Sequence, residues 1–271
     1  MTYIEEYWIN KETRAKLAQI HTEQVGLFCK DAIDNSIKNT RIYSAKILVS
    51  DEINLNKTKI NLNKTKIIVE DNDTVSAIFK HKKDNLRIAA LNFASYKKPG
   101  GMFLDGSKAQ EECLCHESFL YNVLKEQQEY YRYNCDHKNK GLYTNRALYT
   151  PNILFARDII GTVEADIITC AAPNLSAATK YCNITADENS EALYNRIGFV
   201  LNIAKQEKID TLILGAYGCG VFGQNPYEVA YIFKYFLTTE ESPFYDVFSE
   251  VIFAVPEGNN QNLEAFQKTF N

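Results

Sequence analysis

The sequence predicts an α/β fold, a three-layer α/β/α sandwich with a mixed central sheet and an N-terminal helical extension. Short apolar runs rich in β-branched residues recur along the chain and are typical of buried strands. Segments of helical periodicity separate several of these runs, so the strands should form one sheet that helices cover on both faces. The 271 residues suffice for one large domain and contain no linker rich in proline, glycine or serine. We therefore treat residues 1–271 as a single domain.

Composition and charge describe an ordinary globular protein. Hydrophobic residues make up 45% of the chain and charged residues 24%, far from the values of disordered or membrane proteins. The formal net charge of -4 provides no global field for nucleic acid, so any phosphate binding must be local. We find no secretory signal pattern or membrane-spanning run, and seven cysteines do not make a disulfide framework. We expect a cytoplasmic monomer, or a nuclear one in a eukaryote, without membrane or sequence-specific nucleic-acid partners.

The chain begins with a helical segment. Residues 1–40 carry apolar positions at mostly helical spacing, and little between Lys11 and Lys38 would break a helix. This segment predicts one or two leading helices, and Ile42 to Val49 then predicts a strand. A perfect tandem duplication follows, because INLNKTK occupies 53–59 and again 60–66. Two copies cannot form a solenoid, and the polar unit favours a surface insertion at 53–66 over a binding element.

The remaining elements alternate between strands and helices. Further strands are predicted at Lys66 to Val69, Val75 to Phe79, Leu86 to Phe93, Asn152 to Phe155, Asp166 to Ala172, Thr211 to Gly215 and Glu250 to Val255. Further helices are predicted at Gln110 to Tyr131, Asn189 to Glu207, Asn225 to Leu237 and Asn260 to Phe270.

Two glycine segments interrupt this alternation, each directly after a predicted strand. Gly100-Gly101 allows a turn whose backbone can approach a ligand without hindrance from side chains. By itself this is a weak signal. The segment GAYGCGVFGQNP, residues 215–226, is richer and leads into a helix that Asn225 can cap, with Pro226 at its first position. Several backbone N–H groups in such a loop can bind phosphate oxygens without net positive charge. Because ligands of α/β sheets lie beyond the carboxyl ends of strands, both segments should face one cleft.

Gln110-Glu111-Glu112 opens the helix that follows the first glycine segment. Acidic residues favour the first turn of a helix because of its dipole, which is the ordinary explanation for such a pair. Its position soon after the glycine turn favours a second explanation, since the helix start and the turn must then lie close together. Neighbouring helical side chains point about 100° apart, so the two carboxyls should have different roles. One can face a leaving oxygen while the other holds sugar hydroxyls.

These residues resemble a known family. PGGMFLDGSKAQEECLC, residues 99–115, resembles the glycine turn and QEE signature of poly(ADP-ribose) glycohydrolases, and GAYGCGVFGQNP resembles their diphosphate-binding loop. LNFAS (91–95), TCAAPN (169–174) and VIFAVPEGNNQNLEAF (251–266) also resemble the bacterial-type members, so the resemblance covers roughly residues 85–271. Residues 1–40 are similar to the leading helical segment of that type. Met102 stands where the family usually has a third glycine, and the 53–66 repeat resembles nothing in the family.

The resemblance implies a macrodomain fold with an ADP-ribose cleft. It implies hydrolysis of ribose-ribose O-glycosidic bonds, mainly at polymer ends, with poly(ADP-ribose) or ADP-ribosylated protein as substrate and ADP-ribose as product. Glu112 is then the catalytic acid, Glu111 binds ribose hydroxyls, and Phe222 positions the terminal ribose. The substrate-binding residues that it implies are Asn92, Gly100, Gly101, Gln110, Gly218, Cys219, Gly220, Val221 and Phe222.

The chemistry needs neither a metal nor a cofactor. Cleavage of such a bond passes through an oxocarbenium-like state, so the leaving oxygen needs a proton from a carboxylic acid. The resulting carboxylate can then activate water, and one residue serves both steps.

Other chemistry has weaker support in the sequence. The four histidines are dispersed and Cys113-x-Cys115 has no second pair, so we do not expect a zinc site. The second loop lacks the GK[ST] of a P-loop and meets GxGxxG only in an offset register. Cys219 has no identifiable histidine partner, which favours a small loop residue over a nucleophile. Two alternatives stay open, namely a reader that binds ADP-ribose without hydrolysing it and a hydrolase of single ADP-ribose groups.

Overall fold

The structure is a computed structural model that describes residues 10–44, 65–157, 160–258 and 261–271. The tandem repeat at 53–66 lies outside these ranges except for its last two residues, so its prediction as a surface insertion is not addressed. Residues 1–9 of the helical extension and 45–49 of the first predicted strand also lie outside them.

Seven strands of the described residues form one mixed sheet, in the order β1-β4-β5-β3-β6-β7-β2. They are β1 (Arg41–Ser44), β2 (Lys66–Glu70), β3 (Ile88–Phe93), β4 (Arg146–Arg157), β5 (Gly161–Cys170), β6 (Thr211–Leu214) and β7 (Glu250–Ala254). Strand β4 pairs antiparallel with β1 and β5, and the five strands from β5 to β2 are parallel to one another. The predicted mixed sheet is confirmed.

Helices cover both faces of this sheet. The described helices are α1 (Lys11–Phe28), α2 (Lys30–Asn39), α3 (Thr74–His81), α4 (Gln110–His116), α5 (Leu120–Leu124), α6 (Gln128–Asp136), α7 (Leu175–Cys182), α8 (Ala186–Gln206), α9 (Pro226–Thr238) and α10 (Asn262–Phe270). One buried cluster joins the sheet to α8, α9 and α10, and another joins it to α1 through α6. The three-layer α/β/α fold predicted from the sequence is confirmed. None of the described helices combines the length and the hydropathy that crossing a membrane requires.

Local signals account for several helix boundaries. The side chain of Asn225 accepts a hydrogen bond from the Tyr227 N–H at 2.9 Å, and Pro226 occupies the first helical position of α9, as the sequence predicts. Helix α8 begins with a capping box between Thr185 and Glu188. These caps define where helices α8 and α9 begin.

The predicted strand from Val75 to Phe79 is wrong, because these residues belong to helix α3. The Asp73 carboxylate accepts a hydrogen bond from the Ser76 N–H at 2.9 Å and caps the helix. Val75 and Ile78 are buried against the sheet on one face of that helix. A short apolar run does not distinguish a strand from a buried helix by periodicity.

The single helix predicted from Gln110 to Tyr131 is also wrong, because the chain forms three helices, α4, α5 and α6. Between the first two, Ser118 forms an isolated antiparallel bridge with Phe155 of β4, and the Ala156 N–H donates to the Glu117 carbonyl at 3.0 Å. This pairing with the sheet requires extended backbone and interrupts the helix.

The N-terminal extension packs on the segment that leads into α4. Arg14 of α1 donates through Nε to the Gly106 carbonyl at 2.7 Å, and Ala18 is fully buried. A Cβ on Gly106 would overlap the Lys11 carbonyl. Helix α1 therefore contacts the backbone that connects the first glycine turn to Gln110.

Candidate active site

A cleft of about 850 Å³ opens where the parallel strands end. Its walls include residues that follow β3, β5, β6 and β7, together with the first turn of α4. The two glycine segments share this cleft, since Gly101 and Gly218 both line it. The volume lies within the range of small-molecule sites in proteins. The cleft is therefore the candidate active site.

Glu112 lines this cleft and has one carboxyl oxygen without a partner among the described residues. The residue is only 6% exposed, and its Oε1 accepts a hydrogen bond from the Met102 N–H at 2.8 Å. Its Oε2 is buried and has no hydrogen-bond partner among the residues that the structure describes. A buried polar oxygen without a partner carries a desolvation cost that a bound molecule can remove. Glu112 thus has one oxygen held by the protein and one that has no described partner.

Glu111 has different partners. Its Oε2 accepts from the Ser95 N–H at 2.7 Å and its Oε1 from the Asn92 side-chain amide at 3.3 Å. Burial raises the pKa of Glu111 to about 8, the Ser95 hydrogen bond opposes this shift, and the nearby charge of Glu112 adds to it. Burial thus favours the protonated form of Glu111 in the ligand-free protein.

Gly101 explains how two neighbouring helical side chains reach one place. Its φ is 62°, in the left-handed region that favours glycine. A Cβ at this position would lie within 3.0 Å of a carboxyl oxygen of both Glu111 and Glu112. Both carboxyls therefore pack against the same backbone turn, although their side chains leave the helix about 100° apart.

Asn92 lies behind Glu111 and is not among the residues that line the cleft. It is fully buried, and its amide nitrogen also donates to Thr169 Oγ1 at 3.3 Å. Its Oδ1 has no hydrogen-bond partner within the described part of the chain. The position of Asn92 suits it to hold Glu111 in place.

Gln110 borders the cleft, but the fold occupies its amide. Its Oε1 accepts from the Phe93 N–H at 2.8 Å, and its Nε2 donates to the Leu91 carbonyl at 2.8 Å and to Thr74 Oγ1 at 3.1 Å. These contacts fasten the start of α4 to the end of β3. Gln110 thereby fixes the position of the two glutamates that follow it.

The second glycine segment leaves its amide groups open. Gly218 has a φ of 77°, and a Cβ there would lie 2.9 Å from both Ala172 and Gln224 side-chain atoms. The N–H groups of Gly220, Val221 and Phe222 donate to no protein acceptor among the described residues. All three residues line the cleft. Consecutive free N–H groups of this kind bind anions.

Gly100 and Cys219 do not line the cleft. Gly100 is buried, and a Cβ there would lie 2.9 Å from the Tyr121 ring. Burial raises the pKa of the Cys219 thiol to about 12, so this thiol stays protonated and is a poor nucleophile.

Aromatic side chains close the cleft near Phe222. This residue is partly buried, lines the cleft, and has its ring centroid 6.3 Å from that of Tyr143. The Tyr143 ring in turn stacks on Tyr96, with centroids 4.3 Å apart and planes at 23°. Sequence reasoning missed Tyr96 and Tyr143 as cleft residues. Tyr96 directly follows the LNFAS stretch, which was an available signal, whereas Tyr143 lies in a loop with no pattern of its own.

No three His, Cys, Asp or Glu side chains in the described ranges are grouped in a way that could hold a metal ion.

Comparison with known proteins places this geometry in context. The family profile described as microbial-type PARG, catalytic domain, matches residues 12–158. Poly(ADP-ribose) glycohydrolase from Thermomonospora curvata is similar, with a TM-score of 0.84 and 28% identity over 96% of this chain and 100% of that one. The same enzyme bound to the inhibitor ADP-HPD has a TM-score of 0.81 and 28% sequence identity, over 95% of this chain and 99% of that one. The glycohydrolase from Deinococcus radiodurans in complex with ADP-ribose has a TM-score of 0.77 and 32% sequence identity, over 88% of this chain and 96% of that one. No curated protein sequence matches.

Proposed function

Because the chain belongs to the microbial-type poly(ADP-ribose) glycohydrolase catalytic-domain family, it is a glycosidase that acts on poly(ADP-ribose), and we propose that it releases ADP-ribose from polymer ends. One observation supports the proposed site above all others. Glu112, whose Oε2 has no partner among the described residues, lines the same cleft as Gly220, Val221 and Phe222, whose N–H groups are free within the same residues. An acid and an anion cradle in one cleft suit a substrate that combines a glycosidic bond with a diphosphate.

In this proposal Glu112 is the catalytic acid. Its Oε2 donates a proton to the leaving oxygen of the ribose-ribose bond while the bond from that oxygen to the anomeric carbon breaks. The electron pair of that bond stays on the oxygen, and the released ribose passes through an oxocarbenium-like state. The Glu112 carboxylate then takes a proton from the water that adds to the anomeric carbon, which restores the acid. The hydrogen bond from Met102 keeps the other oxygen in place through both steps.

Glu111 binds ribose hydroxyls in this scheme. Its raised pKa lets it donate one hydrogen bond as a carboxylic acid near neutral pH, in addition to accepting others. Asn92 and Ser95 hold the group in place. With Glu111 protonated, the site does not hold two adjacent negative charges when a diphosphate arrives, which avoids like-charge repulsion.

The second glycine segment binds the diphosphate in this proposal. Gly218 allows the turn, and the N–H groups of Gly220, Val221 and Phe222 point at phosphate oxygens. The Phe222 ring forms the wall beside the terminal ribose. Binding through backbone amides fits a protein whose net charge is -4.

We extend the proposal to the setting of the enzyme. All seven cysteines are free thiols, which fits a reducing compartment such as the cytoplasm, or the nucleus of a eukaryotic cell. ADP-ribose is the product in this scheme, and the protein acts as a monomer. Analytical ultracentrifugation of the purified chain tests the last statement.

Product analysis tests the proposed function. Purified protein is incubated with poly(ADP-ribose) of defined length and, separately, with mono-ADP-ribosylated protein, and the products are resolved by chromatography. We expect ADP-ribose from the polymer from the earliest time points. Release of ADP-ribose from the mono-ADP-ribosylated protein but not from the polymer would favour a mono-ADP-ribosyl hydrolase. Binding of ADP-ribose without hydrolysis of either substrate would indicate a reader.

A further inference from the structure

The segment from Ser95 to Met102 connects the two glutamates along the mouth of the cleft. Its first residue donates a backbone hydrogen bond to Glu111 and its last residue donates one to Glu112. The side chains in its middle, Tyr96, Lys97 and Lys98, line the cleft. In the proposed function the leaving oxygen lies at Glu112. These three side chains therefore border the cleft on the segment that holds both glutamates.

Tyr96 stacks on Tyr143 in an aromatic wall of the cleft, and the backbone of Tyr143 has an unfavourable conformation. Its stacking partner Tyr143 has a φ of 58°, which is uncommon for a bulky residue and indicates that the surroundings enforce it. The residues on either side of Tyr143 are held by Arg196, which is 1% exposed. Its guanidinium donates to the Leu142 carbonyl at 3.1 Å and to Asn145 Oδ1 at 2.8 Å, on both sides of Tyr143. Such enforced conformations cluster at ligand sites.

Lys97 and Lys98 add two positive charges beside this wall. Both side chains are exposed, and neither forms an ion pair with a carboxylate within the described ranges. Lys97 Nζ lies 5.8 Å from the centre of the Tyr96 ring, and Lys98 Nζ lies 3.7 Å from Met102 Sδ. Two ammonium groups can pair with the oxygens of a diphosphate, and the aromatic face beside them can stack on the attached nucleoside.

We propose that Tyr96, Lys97 and Lys98 bind the second nucleoside diphosphate unit of the polymer, the unit that carries the leaving oxygen. Its base or ribose contacts the Tyr96 ring and its diphosphate pairs with the two lysines. The first unit does not need these lysines, because the amides of the second glycine segment serve its diphosphate. The inference rests on the proposed function, since it takes Glu112 as the acid.

Two substrates that share the scissile bond separate this subsite from the catalytic centre. One is a poly(ADP-ribose) oligomer of defined length. The other is ADP-ribose joined through its terminal ribose to the 2′-hydroxyl of adenosine, which lacks the second diphosphate. For Lys97→Ala/Lys98→Ala we expect the KM for the oligomer to rise about tenfold at low ionic strength, with kcat nearly unchanged. The KM for the truncated substrate should stay within about twofold of the wild-type value.

Salt dependence and matched variants complete the experiment. Loss of two phosphate contacts should reduce the slope of log KM against log salt concentration by about one to two for the oligomer. The control Lys16→Ala/Lys38→Ala removes the same charge from exposed residues outside the cleft and should leave the KM for the oligomer unchanged. Tyr96→Ala should raise the KM for both substrates, because both carry the adenosine, and Tyr96→Phe should restore it.

The outcomes are distinguishable. An unchanged KM for the oligomer in the lysine variant, or an equal rise for both substrates, would overturn the second-unit subsite while wild-type cleavage still supports the proposed function. If the wild-type protein cleaves neither substrate, the proposed function fails and the subsite fails with it.

Discussion

The two glycine segments border the same cleft but differ in what surrounds them. At the first, the space beside Gly101 is filled by the Glu111 and Glu112 carboxyls, and the next N–H donates to Glu112. At the second, the N–H groups from Gly220 to Phe222 have no protein acceptor in the described part of the chain, and Val221 is 87% exposed. The first segment is closed by the protein, whereas the second is open to a ligand.

This difference shows that glycine serves two purposes in one site. The first turn needs glycine because protein groups approach its backbone closely, so in the proposed function its role concerns the position of Glu112. In the same proposal the second loop needs small residues because a ligand approaches its N–H groups, so its role concerns binding. Substitutions in the two segments should therefore affect different quantities.

The largest expected effect tests the acid itself. Glu112→Gln should lower hydrolysis of the polymer by about a thousandfold or more, because the amide keeps the shape and loses the proton donor. The affinity for ADP-ribose, measured by calorimetry, should stay within about tenfold, because the second segment is intact. The exposed Glu126→Gln serves as a control and should leave both quantities unchanged. Turnover above a few per cent of the wild-type rate would remove Glu112 from the acid role.

A pair of alanine substitutions compares the two segments directly. Gly101→Ala places a Cβ against both carboxyls in a left-handed backbone conformation. It should lower kcat by about a hundredfold and the free energy of unfolding by about 1 to 2 kcal/mol. Gly220→Ala places a Cβ with no atom within 4 Å, so its melting temperature should match the wild type. Equal losses of stability in the two variants would show that the segments do not differ as described.

Phe222 tests whether the open segment also positions the substrate. Phe222→Ala should lower turnover by tens of fold to about a hundredfold, since a misplaced bond of about 1 Å has this effect. Its loss of stability should be well below the roughly 3 to 5 kcal/mol expected for a buried phenylalanine. Phe233→Ala, a fully buried control on α9, should show the larger loss. A strongly lowered melting temperature with wild-type turnover at low temperature would make Phe222 a core residue instead.

A pH-dependent effect concerns the proton on Glu111. Its pKa in the folded protein is raised from 4.5 to about 8, so the folded state binds one proton more than the unfolded state between these values. The stability of the ligand-free protein should therefore fall as the pH rises from about 4.5 to about 8. Glu111→Gln removes this dependence. The melting temperature of the variant minus that of the wild type should therefore increase as the pH rises from about 4.5 to about 8. A constant difference between the two melting temperatures from pH 5 to pH 8 would contradict the raised pKa.

The sequence by itself determined the fold class and the two glycine segments. Periodicity and helix caps are local properties, so the strands β3, β5, β6 and β7 and the start of α9 at Asn225 and Pro226 were predictable. Glu111 and Glu112 could be singled out for the same reason, because the glycine turn and the helix start lie in one contiguous stretch, and both residues line the cleft.

Only the tertiary structure decided the remaining features, because each depends on contacts between distant residues. The break after His116 follows from the bridge between Ser118 and Phe155. The raised pKa of Glu111 follows from burial behind the turn. The pairing of Tyr96 with Tyr143 depends on a loop that buried Arg196 holds in place. No local pattern encodes such contacts, since desolvation, sheet pairing and ring stacking arise only when the layers pack together.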